Sequence, residues 1–318
     1  MADPASPPPD VPSASAKLVG RLWILAAALL WSSCGLFVKA GLFDDWSDSV
    51  RGPLLAFWRA FFAAMVLMPA VRRPRFNVLL LPLTLCFTLM CLFYLTAITL
   101  TTAANAIWLQ ATSPWWVFLL SVLFFHEPMV RRDLIPLGFG VLGVGTILWF
   151  EVQGQALFGV ACGVASGVTY ASVVLLMRRL RRENAAWLVT LSHAVAAMAI
   201  LPWVVYQDIW PSAWQLVVLA CFGTFQMAVP YLCMIRGLRS ISSQEAVAIA
   251  LLEPVLMPLW VFLAGMESPR WWTVVGASFI LVGLMLRYLV LGYAVRRRGR
   301  PLPSCSGASD SCPGDSCP

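Results

Sequence analysis

Apolar runs of about 20 residues, separated by short polar loops, recur along nearly the whole chain. Ten can be marked, at residues 21–40, 53–71, 77–98, 102–125, 133–150, 155–177, 187–206, 213–235, 243–265 and 271–293. At a rise of ~1.5 Å per residue a helix of ~20 residues crosses the ~30 Å hydrocarbon core of a bilayer. The pattern therefore predicts an all-α polytopic membrane protein with ten transmembrane helices. The ends are different. Residues 1–16 are rich in Pro, Ser and Ala without apolar periodicity, and residues 294–318 close on a polar stretch, PLPSCSGASDSCPGDSCP. Both are expected to be disordered tails, the first reaching to about residue 20. The first apolar run follows Lys17 and Arg21 but lacks an A-x-A cleavage site, so it reads as a retained span and not as a signal peptide. Pro53, Pro211 and Pro269 are expected at or just before helix starts, where proline is tolerated. Glycines at 138, 140, 143 and 145, at 159, 163 and 167, and at 276 and 283 are expected to allow close helix packing.

The loops carry the orientation. Lys17, Arg21, Arg72, Arg73, Arg75, Arg131, Arg132, Arg178, Arg179, Arg181, Arg182, Arg236, Arg239, Arg296, Arg297, Arg298 and Arg300 fall on one side of a ten-span arrangement, and they are most of the 22 basic residues. The other side holds Arg51 and Arg270 among Asp44, Asp45, Asp48, Glu151, Asp208 and Glu267. The positive-inside rule puts both termini in the cytoplasm. Trp46, Trp149, Trp210, Trp214, Trp271 and Trp272 are expected to form an interfacial belt at the outer face, with Trp187 at the inner one.

Composition agrees with the pattern. Of 318 residues, 60% are hydrophobic and 12% charged, and the mean hydropathy is +0.80. A soluble domain carries about a quarter charged residues, so most of this surface faces lipid. The net charge of +7 reflects loop arginines and does not indicate a nucleic-acid partner. Six of the nine cysteines (Cys34, Cys86, Cys91, Cys162, Cys221 and Cys233) lie in apolar runs, where Cys behaves as a small hydrophobe. The irregular spacing of Cys305, Cys312 and Cys317 implies no metal site, and no cofactor is expected.

One segment occurs twice. Ala103 to Glu127, AANAIWLQATSPWWVFLLSVLFFHE, aligns with Ser243 to Glu267, SQEAVAIALLEPVLMPLWVFLAGME. Ala106 falls on Ala246, Pro114 on Pro254, Glu127 on Glu267, and beyond the segment Gly143 falls on Gly283. Met65 and Pro69 likewise match Met198 and Pro202. Spans one to five (residues 21–150) thus correspond to spans six to ten (residues 151–293). Five is odd, so the halves enter the membrane from opposite sides and form two inverted five-helix repeats. Secondary transporters use such repeats to expose a midplane site alternately to either side.

The motifs AITLTTAANAIWLQATSPWWVFLLSVLFFHEP and GFGVLGVGTIL in the first half resemble the EamA family of the drug/metabolite transporter superfamily. So do IRGLRSISSQEAVAIALLEPVLMPLWVFLAGMESP and VVGASFILVGLMLR in the second half, Arg59, and the W-x-x-x-G pattern from Trp31 to Gly35. The resemblance spans about residues 20 to 293. It implies a ten-helix inner-membrane carrier of small metabolites, often amino acids or related compounds and frequently outward. The chain departs from a symmetric pattern in having Ser113 where its second half has Glu253.

Candidate site residues follow from polarity inside apolar runs. Glu253 lies ~15 Å along its helix, near the membrane midplane. A charge there costs ~3 kcal/mol or more on an insertion scale and must face protein or water. It is a candidate proton carrier, with protons as the candidate coupling ion, or else a fixed partner of Arg59 or of helix-end donors. Arg59 in turn is a candidate ligand for a substrate carboxylate. Pro114 and Pro254 each remove a helical hydrogen bond and are candidate helix breaks. Gln110, Ser113, Tyr94, Tyr170, Gln226 and Tyr231 supply polar atoms for a cavity, and Trp115 is a candidate wall. Asn105 and Thr169 add further polar atoms to the same cavity, and each of these groups taken alone is an ordinary interhelical hydrogen-bonding group. His193 is a candidate relay because imidazole changes charge near neutral pH. His126 and Glu127 lack a second His at zincin spacing, so no metal is expected. No G-x-S-x-G, H-E-x-x-H or paired aspartates occur within a span, which argues against an enzyme. The expected partners are a small-molecule substrate and the lipid bilayer, with oligomeric state open. The alternative is a transporter-fold sensor or scaffold without transport.

Overall fold

The computed structural model describes residues 13–71, 74–125, 134–153, 157–180, 183–241 and 243–298, and every described element is helical. The tail cysteines, His126, Glu127, and Arg72, Arg73, Arg131, Arg132, Arg181, Arg182 and Arg300 lie outside the described residues. Helices α1 (Ala14–Ser32) and α2 (Cys34–Lys39) run end to end, as do α5 (Ala103–Gln110) and α6 (Ser113–Phe125), and α12 (Ser243–Ala250) and α13 (Leu252–Leu263). Single helices are α3 (Asp48–Leu67), α4 (Leu80–Leu100), α7 (Leu134–Gln153), α8 (Leu157–Arg179), α9 (Ala185–Gln207) and α14 (Trp271–Arg298). Helices α10 (Ala213–Cys221) and α11 (Val229–Gly237) are joined by a π-helical stretch, Phe222–Ala228. Among the described residues six stretches are long and apolar enough to cross a membrane: Ala14–Lys39, Asp48–Ala70, Leu80–Leu100, Leu157–Arg179, Ala185–Gln207 and Ala213–Gly237. Gly138–Phe150, Leu252–Leu263 and Trp271–Leu286 are shorter apolar helical stretches.

Local chemistry sets the boundaries and moves some of them from where the apolar pattern alone puts them. Helix α1 starts at Ala14, inside the stretch expected to be a tail, because the Ser13 hydroxyl accepts the Ala16 N–H and caps it. Helix α3 starts at Asp48 behind Ser47, with an acidic residue in its first turn that favours the positive end of the helix. Pro53 therefore lies inside α3 and not at its start. Ser212 and Gln215 form a reciprocal capping box at the start of α10. Trp46 is buried against Phe43, with ring centroids 4.9 Å apart, and so is not a member of an interfacial belt. Trp149, Trp210, Trp214 and Trp271 are exposed at the surface of the bundle.

The packing is paired. Helix α4 lies along α8, and α1 lies along α11. Helix α8 also packs on α5 and α6, as α1 packs on α12 and α13. Helix α4 meets α9, as α3 meets the π stretch and α10. Exchanging the first repeated half of the chain for the second turns each of these contacts into its counterpart, while α3–α9, α5–α13 and α7–α14 map onto themselves. The last pair crosses closely at two glycines. A Cβ on Gly143 would stand 2.6 Å from the Gly276 oxygen, and one on Gly276 would stand 2.8 Å from the Gly143 oxygen. By contrast Gly138 and Gly145 face open space.

Polar contacts between distant segments sort to the two ends of the bundle. At the arginine-poor end, Lys39 Nζ meets Glu267 Oε1 at 2.7 Å and donates to the Thr101 carbonyl at 2.7 Å. Glu267 Oε2 accepts the Ala103 N–H at 2.8 Å. Gln215 Nε2 donates there to the Leu42 carbonyl and to Asp45. At the opposite end Arg21 pairs with Glu245, Trp187 Nε1 donates to the Arg75 carbonyl, and the Arg236 guanidinium lies over Trp23.

Candidate functional site

The site is built around Arg59, which is 1% exposed on α3. Ala56, Ala60 and Ala63 make the inward face of that helix small and apolar, so the long arginine side chain has room to lie within the bundle. Its guanidinium faces the π stretch of the tenth and eleventh helices. Pro230 has no N–H to give the Gln226 carbonyl four residues back. The ladder slips there, and the Val229 N–H bonds to the Thr224 carbonyl instead. The widened turn includes Gly223 and Gln226. A Cβ on Gly223 would come 2.7 Å from the Arg59 carbonyl and 2.6 Å from Phe62 Cβ, so only glycine lets this turn seat against α3. Such π turns recur at functional sites.

Arg59 Nη1 donates to Gln226 Oε1 at 3.4 Å and contacts Cys34 Sγ at 3.9 Å. The guanidinium carbon sits 5.5 Å from the centre of the Phe222 ring, and the Cys91 thiol lies alongside. Gln226 Nε2 in turn donates to the Trp31 carbonyl at 3.3 Å. These are neutral partners. Among the described residues no carboxylate comes within 4.0 Å of Arg59, so the ion pair between Arg59 and Glu253 is not formed in this structure.

Glu253 nevertheless belongs to the same group. Helix α12 ends at Ala250 and α13 begins at Leu252, which puts Glu253 in the first turn of α13 at the positive end of its dipole. Gly35 draws α13 against α2, since a Cβ there would fall 2.6 Å from Val261. Trp260 Nε1 donates to the buried Ser32 hydroxyl at 2.9 Å, and the Tyr94 hydroxyl donates to Met257 Sδ at 3.4 Å. Glu253 is half-buried, and the charge of Arg59 acts on it through space. Cys34, Tyr94 and Tyr231 lie within the fields of both. Tyr170, about one-third exposed, neighbours Tyr231.

His193 closes the group on the side of α9. Its Nδ1 is 2.8 Å from the Val189 carbonyl, an acceptor, so Nδ1 carries the proton and Nε2 offers a lone pair. Nε2 is buried and has no hydrogen-bond partner among the described residues. The ring stands edge-on to Phe87 and Tyr231, with centroids 4.7 and 5.8 Å away.

The structure thus brings Arg59, Glu253, Tyr94, Gln226, Tyr231 and Tyr170 together. Trp115 sits elsewhere: it is buried against α7, where a Cβ on Gly140 would strike its indole at 2.6 Å. Pro114 is the second residue of α6, just after the interruption at Ala111 and Thr112, and Pro254 is the third residue of α13. Ser113 is buried and Gln110 half-buried beside the first interruption. Cys34, Cys91, Trp31, Phe222 and Met257 are members that polarity inside apolar runs does not reveal. Only the W-x-x-x-G pattern flags the neighbourhood of Trp31 and Cys34. Asn105 ties α5 to α14, accepting from the Thr273 hydroxyl at 2.7 Å.

The model of the EamA-like transporter family matches residues 18–149 and again residues 157–289. A protein of Archaeoglobus fulgidus named an uncharacterized transporter is 26% identical over 276 residues, covering 85% of this chain and 96% of that protein. A solved crystal structure shares the fold with a TM-score of 0.59 at 19% identity, covering 87% of this chain and 98% of that one.

Proposed function

Since this chain belongs to the EamA-like transporter family and is a multi-pass membrane transporter, we propose that it moves a small metabolite by alternating access. The solute is an amino acid or a related polar or amphipathic compound, and export across the inner membrane is the direction read from the family. Ten spans are counted when the α5–α6 and α12–α13 pairs and the helices α7 and α14 each cross once, with both termini cytoplasmic. The two repeats rock about the group formed by Arg59, Glu253, Tyr94, Gln226 and Tyr231, exposing it to one side and then the other.

One observation carries this reading. Each repeat contributes one charge to the middle of the bundle, Arg59 from the first and Glu253 from the second, and the two are not joined in an ion pair. A pair kept only for stability would be closed, because an open buried charge is expensive. Charges held apart between moving halves are what solute binding and coupling require. Glu253 is the coupling carboxylate in this reading: it takes up a proton in one state and releases it in the other.

Solute flux in proteoliposomes tests it. Purified protein is offered a mixed pool of amino acids and metabolites, with and without a pH gradient. Selective uptake that follows the gradient is expected, with the gradient response lost in Glu253→Gln while that variant still inserts and folds. Gradient-driven flux that survives unchanged in Glu253→Gln removes the coupling role. Absence of flux for any compound by folded protein removes the carrier.

A further inference from the structure

We propose that Arg59 seats an oxyanion of the transported solute, so that the preferred substrates carry one carboxylate on an apolar body; this rests on the carrier reading above. A guanidinium presents five N–H groups in a planar fork. Nη1 of Arg59 meets an amide oxygen at 3.4 Å and the Cys34 thiol at 3.9 Å, and the Cys91 thiol is a further neighbour of the guanidinium. Among the described residues none of these partners is an anion. A cation 1% exposed inside a membrane bundle is normally held by an anion. The fork of Arg matches a carboxylate in two parallel hydrogen bonds, which a lysine cannot do.

Charge count narrows the class. Of the described basic side chains within the helical bundle, Lys39 is committed to Glu267 and the Thr101 carbonyl. That leaves one positive charge at the site and favours a monoanion over a phosphate dianion. The walls narrow it further. Phe222 lies on Arg59, Phe37 stacks on Phe222 at 5.0 Å, and Trp31 meets Tyr231 edge-on at 5.3 Å. These walls match an apolar or aromatic body in chemical character.

Glu253 then acts as a rival anion. The groups that share its field are Arg59 on α3, Cys34 on α2, Tyr94 on α4 and Tyr231 on α11, and Arg59 is the one positive charge among them. With Glu253 ionised, the solute carboxylate competes with it for Arg59. With Glu253 protonated, the solute has Arg59 to itself. Acid and proton are therefore bound together, and the loaded site keeps the same net charge as the empty one.

The test is direct binding to the purified full chain in detergent, read by tryptophan fluorescence and by the shift of the thermal transition. The probes are 3-phenylpropionate, 3-phenylpropionamide and 3-phenylpropylamine, which differ only in the head group. Saturable binding of the acid is expected, with the amide and the amine at least about tenfold weaker. Arg59→Gln loses the acid's advantage over the amide. Arg59→Lys, which keeps the charge without the fork and serves if the glutamine variant does not fold, retains that preference but binds several-fold more weakly. Glu253→Gln binds the acid more tightly than the wild type. Equal binding of the three probes, no acid binding by folded wild type, or unchanged acid binding in folded Arg59→Gln overturns the proposal. Acid-selective binding without flux in proteoliposomes keeps the seat and removes the carrier. Flux of neutral or cationic solutes without acid binding keeps the carrier and removes the seat.

Discussion

Gln226 is the residue through which the second repeat addresses Arg59. Its oxygen accepts from the guanidinium and its nitrogen donates to the Trp31 carbonyl, so one amide fixes the arginine against the first helix. Both bonds run at 3.3–3.4 Å, longer than the ~2.9 Å of a well-formed bond. They hold the arginine lightly and leave its fork open to a better acceptor. Gln226→Leu removes both and leaves the guanidinium with sulfur and ring partners alone. Interhelical hydrogen bonds in membrane proteins average ~0.6 kcal/mol, and the charged one here is expected at ~1–2 kcal/mol. A fall of that size in unfolding free energy, read from a denaturant series in detergent, is the expected result. A stability equal to the wild type would show that Gln226 does not hold Arg59. The sequence places Gln226 and Arg59 as polar residues in apolar runs. It does not show that they meet, because their separation along the chain leaves the contact to packing alone.

Among elements, the α7–α14 pair crosses at two facing glycines. Two backbone oxygens lie where side-chain carbons of any other residue would stand, so the pair depends on glycine at 143 and at 276. Gly143→Val puts a branched side chain into the Gly276 carbonyl and Ile280. Overpacking of this kind costs ~1–3 kcal/mol, and here the obstacle is backbone that cannot turn aside. Gly145→Val, whose Cβ meets nothing within 4 Å, is the matched control. A lowered melting transition in the first and an unchanged one in the second are expected; equal transitions would remove the packing role. The sequence shows a run of glycines at these positions but not which of them face the partner, because several one-sided registers share the same spacing. The same holds for the π stretch. Pro230 is visible in the sequence, yet the slip it causes depends on α3 being close enough to receive Gly223.

For the whole molecule, the ends matter more than the middle. Lys39 joins the first span, the α4–α5 turn and the α13–α14 turn at the arginine-poor end, with side-chain exposures of 17% and 20% for Lys39 and Glu267. The pair at the other end, Arg21 with Glu245, is far more exposed, at 53% and 34%. Screened surface pairs contribute little, whereas a sheltered pair with further hydrogen bonds is harder to open. The arginine-poor end must part at Lys39 and Glu267 for the centre to be reached from that side. Ala104, buried in a small recess with Thr102, Pro258 and Ser268, reports on this. In a background without other reactive thiols, Ala104→Cys is expected to react several-fold faster with an impermeant maleimide once Glu267→Gln is added. Equal rates would mean that the clamp does not hold this end shut.

The sequence by itself determined the class of this protein. Apolar runs of bilayer length, a loop charge bias and a repeated segment follow from the hydrophobic effect and from the need to satisfy backbone groups in lipid, and both act on local sequence. Fold family and transporter character were legible from those features and from the motifs that resemble EamA. Tertiary structure alone decided which buried polar groups share a site. Arg59, Gln226, Glu253, Tyr94 and Tyr231 converge because α3, the π stretch, α13, α4 and α11 pack around one centre, while Trp115 is drawn off to Gly140. It also decided that Arg59 and Glu253 stand apart and that Lys39 pairs with Glu267. Such pairings depend on helix rotation and on contacts between residues far apart in the chain, and the period of an apolar run carries no record of either.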